Sequence, residues 1–165
     1  MPVLKFILWV GFIAFLLLLT KNILFKKSPR FYEKHFKNEY NRYSVKQGWA
    51  RANTKPFSTI KSFYNSRNLN PEYKQDNLWG NLLGFVPVGL FLPFLIPFFR
   101  KGIYVLLAGF ALSLCFEMGQ LIFGLGIFDV DDIILNTAGC FLGYIIYWVF
   151  NRAFLLQKKD SSLTS

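Results

Sequence analysis

Apolar and polar positions alternate along this chain in long blocks rather than residue by residue. The first apolar run, Phe6–Thr20, holds 15 residues without a charge between Lys5 and Lys21. As a helix it rises about 22 Å, short of a bilayer's ~30 Å hydrocarbon core. Snorkelling lysines and an extension through Ile23–Phe25 complete the crossing. No small-x-small cleavage site follows Leu19, so the run is read as an uncleaved anchor. Asn81–Phe99 is a second run, 19 residues without a charge. Its Pro87, Pro93 and Pro97 would break a soluble helix but are tolerated where neighbouring helices re-satisfy the freed carbonyls. A short Arg100-Lys101 turn leads to a third run, Ile103–Phe123, and a fourth starts at Asp131 or Asp132 and ends at Phe150. The pattern predicts an all-α polytopic membrane protein with four transmembrane helices. Residues 1–25 form the first helix, 26–77 a basic polar loop, 78–150 a three-helix membrane core and 151–165 a polar tail.

The polar loop has its own pattern. Lys21–Asn77 is 57 residues with 13 Lys and Arg against four acids, Glu33, Glu39, Glu72 and Asp76. Ser28-Pro29 reads as an N-cap followed by proline at the first helical position. Beyond it Tyr32, Phe36, Tyr40 and Tyr43 share one helical stripe, with Lys34, Lys37 and Arg42 off it. Such an amphipathic helix either lies interfacially in the headgroup layer or packs its aromatics on the rest of the protein. Asn53–Ile60 reads as a turn-rich element, and Asn65–Asn77 as a loop containing Pro71.

Composition narrows the function classes. The chain is 53% apolar with 20 Phe, and its mean hydropathy is +0.33, high for a soluble domain. A net charge of +10 calls for an anionic partner, and anionic membrane lipids are the nearest. Nucleic acid is excluded as a partner, because a soluble nucleic-acid binder would not carry these apolar runs. Cys115 and Cys140 lie inside the runs and suggest neither a disulfide framework nor a metal site. Phosphate loops, nucleophile elbows and Cys/His zinc spacings are missing from the sequence, and His35, the only histidine, reads as an ordinary residue of the basic helix. No cofactor is expected. Four spans put both termini on one side, with Lys5, Arg100, Lys101, Arg152, Lys158 and Lys159. Weighting short loops most, the reading is a bacterial cell membrane protein with both termini cytoplasmic.

Candidate chemistry gathers between Ser113 and Asn136. Ser113, Glu117 and Gln120 are spaced i, i+4, i+7 and share a face of the third span. A glutamate at mid-membrane costs about 2.5–3.5 kcal/mol on insertion scales, so Glu117 needs a compensating partner and defaults to a functional residue. On the fourth span Asp132, Asn136, Gly139 and Gly143 form a stripe expected to meet that face, the glycines allowing close contact. Asn77 and Asn81 would complete the cluster from the second span, where Gly80 and Gly84 form a small-xxx-small pair suited to close helix approach. Asn, Gln and Ser also serve as plain interhelical glue, at about 0.6 kcal/mol per hydrogen bond. Asp129 can cap the fourth helix, with Asp132 in its first turn. Asp129, Asp131 and Asp132 are at most weak ligands for Mg²⁺ or Ca²⁺, and no metal is assigned. Glu117 and Asp132 are the candidates for general-base work. Arg51 is either a phosphate or carboxylate partner, by its fork geometry, or an ordinary exposed base.

Several blocks resemble the VanZ-like family. They are Asn53-x-x-Pro56-Phe57-x-Thr59-Ile60, Gly80-Asn81-Leu-Leu-Gly-Phe-Val-Pro87-Val-Gly89-x-x-x-Pro93, Glu117-x-x-Gln120, and Phe128-Asp129-Val-Asp131-Asp132-x-x-x-Asn136-x-x-Gly139-x-x-x-Gly143. The match runs from about Asn53 to Tyr147 and leaves earlier residues outside it. Thr54-Lys55 stands where the family usually has Leu-Ile. The resemblance implies a small integral membrane protein, in a family whose founding member is associated with low-level teicoplanin resistance and which carries no agreed reaction.

Two function classes follow. One is a non-catalytic cell-envelope protein that binds a lipid headgroup, an envelope precursor or a glycopeptide-type ligand through Arg51, Asn53, Asn81, Glu117, Gln120, Asp129, Asp132 and Asn136. The other is a membrane-interface enzyme acting on a phosphorylated lipid carrier, with Glu117 or Asp132 as base and Arg51 on phosphate.

Overall fold

A computed structural model describes residues 2–40, 43, 45–65 and 71–163, without the side chains of 2, 39, 64, 71–77 and 155–163. Helix α1 is Pro2–Leu24, and α2, Pro29–Lys34, widens into a π-turn at His35–Glu39. Two short helices follow in the loop, α3 at Val45–Ala50 and α4 at Ser58–Asn65. Helix α5 is Pro71–Leu95, a 3-10 turn covers Pro97–Arg100, α6 is Gly102–Phe123 and α7 is Val130–Leu163. Among the described residues four stretches are long and apolar enough to cross a membrane: Val3–Leu24, Leu78–Leu95, Gly102–Phe123 and Val130–Phe154. Large apolar side chains such as Ile7, Leu107, Phe110 and Val149 point outward along these stretches. Helices satisfy their own backbone groups, so this apolar exterior suits lipid and not water. The chain is a multi-pass membrane protein.

The helix limits differ from the hydropathy pattern in three places. Helix α5 starts ten residues before Asn81, at Pro71, so residues 71–77 are helical rather than loop, and 66–70 lie outside the described residues. Proline suits a first helical position because the missing N–H has no partner there anyway. At the other end α5 stops at Leu95, not Phe99. Ile96, which precedes Pro97, is extended at φ −127° and ψ 112°, as the pyrrolidine ring demands of its predecessor. Finally, α7 continues through the polar tail to Leu163.

Small residues set the packing, though not in the expected pairs. Gly139 and Gly143 of α7 face α5 rather than α6: a Cβ on them would strike the Leu82 and Val86 carbonyls. Across this crossing a Cβ on Gly89 of α5 would meet the Cys140 carbonyl, and one on Gly109 of α6 would come within 2.7 Å of the Cys140 Sγ. Cys140 is therefore the wedge around which α5, α6 and α7 close, as small residues do in lipid-embedded interfaces. Gly80 and Gly84 make no such contact. Space is open within 4 Å of Gly80, and a Cβ on Gly84 would lie 3.6 Å from Leu19 Cδ1. Helix α1 leans on this three-helix core, its Phe12 ring stacked on Phe91 at 5.8 Å. Only 11% of its apolar stretch is buried, against 39% for α5 and α6 and 33% for α7.

Candidate functional site

The polar chemistry collects at one end of the bundle, where α1 and α6 finish and α5 and α7 begin. At the end of α6, Gly124 takes a left-handed φ of 64°, and its N–H and that of Leu125 return to the Gln120 carbonyl. The loop supplies the next caps. Tyr43 Oη donates to the Leu121 carbonyl. Burial holds its phenol above the ordinary pKa, with Arg51 opposing, so it remains a donor at neutral pH. His35 Nε2 lies 2.9 Å from the Phe123 carbonyl, and a carbonyl only accepts, so that nitrogen carries the proton. His35 is buried and stacks on Phe31. Tyr32 donates to the Leu24 carbonyl at the end of α1 and accepts from the Lys27 amide. The aromatic stripe thus turns Tyr32 and Tyr43 onto the bundle, while Phe36 stays exposed. Arg42 lies outside the described residues.

The Asn53–Ile60 element is a clamp on the start of α7. Asn53 forms a parallel bridge with Asp129: its N–H donates to the Phe128 carbonyl (2.8 Å), and its carbonyl accepts from Val130 (3.0 Å). Asn53 Nδ2 donates to Asp129 Oδ1 (2.8 Å), and Thr59 Oγ1 donates to Asp129 Oδ2 (2.6 Å). Asp129 Oδ1 also accepts the Asp131 amide at 2.8 Å, the expected N-cap bond of α7. Asp131 is wholly buried and turns back onto α4, where its carboxylate accepts the amides of Phe57, Thr59 (2.8 Å) and Ile60 (3.1 Å). A carboxylate against the exposed N–H groups of a helix start is favourable twice over, through hydrogen bonds and through the helix dipole. These bonds also hold Phe57 at a φ of 65°, rare for a bulky residue.

Glu117 lies beneath this clamp. It is 2% exposed, and its Oε2 accepts the Asp129 amide at 2.8 Å. Gln120 reaches the Ile23 carbonyl of α1 at 3.4 Å, and Asn136 Nδ2 donates to Ser113 Oγ at 2.8 Å. Asp132 is placed differently. With Asp129, Gln120 and Thr59 it lines a cleft of about 340 Å³ whose far wall is Lys26, Lys27 and Tyr32. Lys26 is within electrostatic reach of both Asp132 and Glu117. Asn81 of α5 approaches the Asp132 carboxylate without closing a hydrogen bond, and its buried Nδ2 has no partner among the described residues.

The structure therefore brings together Asn53, Asn81, Glu117, Gln120, Asp129 and Asp132, with Asn136 deeper on the same helices. Arg51 stands apart in a neighbouring cleft of about 370 Å³ with His35, Tyr43 and Gly48. The side chain of Asn77 lies outside the described residues. The three aspartates do not converge, and among the described residues no three of His, Cys, Asp and Glu are grouped to hold a metal ion. Lys26 and Lys27 are wall residues that the sequence pattern did not single out. Two lysines just past the end of an apolar run were the available signal.

A sequence profile of the VanZ/LLP1 family matches residues 12–151. The chain belongs to the VanZ/LLP1 family. Protein VanZ of Enterococcus faecium is 34% identical to it over 129 residues, which are 76% of this chain and 70% of that protein. No solved structure matches the chain. The family match starts at residue 12, so α1 and the basic loop are inside it, and a match from Asn53 onward was too narrow. That extension covers Lys26 and Lys27, the wall facing Asp132.

Proposed function

We propose that this VanZ/LLP1-family protein binds the headgroup of a cell-envelope amphiphile, a lipid or lipid-linked precursor, in the cleft between Lys26 and Asp132. By holding that molecule it lowers susceptibility to glycopeptide antibiotics of the teicoplanin type. It works in a bacterial cell membrane with both termini cytoplasmic, so that the cleft opens on the outer side. The observation that carries the reading is a cleft of about 340 Å³ at one end of the bundle, lined by Lys26 and Lys27 together with Asp129 and Asp132. Ligand sites of about 300–1,000 Å³ with a few convergent polar groups are the usual form of a small-molecule site. Its walls come from the end of α1 and the lysines after it, from α2, α4 and α6, and from the turn into α7, and Glu117 holds the Asp129 amide of that turn. The resemblance to the family's teicoplanin-associated founding member supports the second half.

The test is expression of the wild type and of Asp132→Asn at matched membrane levels in a teicoplanin-susceptible bacterium. The wild type raises the inhibitory concentration and Asp132→Asn does not. No rise with the wild type removes the resistance half, and equal protection by the variant removes the cleft from the account.

A further inference from the structure

A second cavity of about 410 Å³ runs between α1 and α5 and shares Ile23 and Lys26 with the polar cleft. Away from Lys26 its walls are greasy: Phe15, Leu18 and Leu19 face Phe85 across a floor made by Gly80 and Gly84. The two glycines hold no helix contact closer than 3.6 Å. They keep a furrow open where a larger residue would fill it. At its mouth sits Asn81, with a buried amide nitrogen that has no partner among the described residues. An apolar furrow thus adjoins, at Ile23 and Lys26, a cleft lined by two ammonium groups and by the carboxylates of Asp129 and Asp132.

Resting on the headgroup-binding reading above, we propose that the occupant is one membrane phospholipid of the aminophospholipid class. Its acyl chain lies in the α1–α5 furrow. Its phosphate meets Lys26 and Lys27, and its primary ammonium reaches Asp132. Charge complementarity sets this choice: a purely anionic headgroup would satisfy the lysines but face Asp129 and Asp132, and a neutral one would leave both walls unpaired. The loosely held α1 is the side through which the chain enters, since little of its apolar stretch is buried.

Native mass spectrometry of the full chain in detergent tests this with diacyl phosphatidylethanolamine, phosphatidylglycerol and soluble phosphoethanolamine as probes. The wild type retains one phosphatidylethanolamine, preferred over phosphatidylglycerol about fivefold, the contribution of one half-buried charge pair. Asp132→Asn removes the preference but keeps lipid. Gly80→Leu fills the furrow and lowers retention about tenfold or more for either lipid, as does Leu18→Trp from the opposite wall. Gly11→Leu, also with open space around it but outside the furrow, behaves as wild type. If both furrow variants fold and retain lipid like the wild type while Asp132→Asn loses the preference, the chain site is wrong and the headgroup cleft stands. Phosphoethanolamine displacing the lipid at equal concentration likewise overturns the chain site. Retention that no variant and no headgroup changes overturns both.

Discussion

Asp131 and Asp132 adjoin each other in the first turn of α7, and the fold uses them in opposite ways. Asp131 has no exposed surface, and three backbone amides of another segment point at its two oxygens. Asp132 lines an open cleft with a lysine opposite and an amide side chain beside it that stops short of a hydrogen bond. A buried carboxylate surrounded by donors is a structural bolt, since its charge is neutralised by the chain itself. One left facing a cavity is available to something that is not part of the chain. The same division separates Asp129, which caps α7 and receives Asn53 and Thr59, from Lys26 and Lys27 across the cleft. The clamp and the cleft share a wall, and removing one member of each shows which holds the fold and which serves the proposed headgroup.

The largest effect is expected from Asp131→Ala. It strands the amides of Phe57, Thr59 and Ile60 and should destabilise the protein by about 3 kcal/mol or more. Chemical unfolding in micelles measures this, and limited proteolysis should show cleavage near α4. A loss below about 1 kcal/mol would mean that the clamp is ornamental. Next comes Gly143→Leu, which drives a side chain into the Val86 carbonyl and costs about 1–3 kcal/mol through overpacking. It should also part Asn81 from Asp132, because α5 and α7 carry one each, so ligand retention falls while the Asn53–Asp129 clamp survives. Survival of both would mean that the α5–α7 crossing does not position the cleft. The smallest effect is Ser113→Ala. It removes one buried interhelical hydrogen bond, worth about 0.6 kcal/mol, and leaves ligand retention unchanged.

The four spans were legible because uninterrupted apolar runs bounded by charge have few other uses. The helix limits were less so: residues 71–77 are polar yet helical, and hydropathy reports surroundings, not backbone conformation. Periodicity placed Gly139 and Gly143 on one face of α7, but a period does not say which neighbour that face meets, and the neighbour proved to be α5. The capping role of Asp129 was readable from local spacing. The bolt formed by Asp131 was not, since its partners lie more than 70 residues away. The partners of His35 and Tyr43 were hidden for the same reason, each side chain finding its carbonyl at the end of α6. Glu117 was rightly read as needing a partner, which turned out to be the amide of a capping aspartate.

One paired measurement bears most directly on the division between bolt and open carboxylate. Asp131→Asn and Asp132→Asn, purified side by side, are compared for unfolding midpoint in detergent and for retained phosphatidylethanolamine. The account predicts a crossed result: Asp131→Asn unfolds earlier, while Asp132→Asn keeps wild-type stability within about 0.5 kcal/mol and loses its headgroup preference. Equal loss of stability in both, or an Asp132→Asn protein that selects lipid as the wild type does, would contradict it.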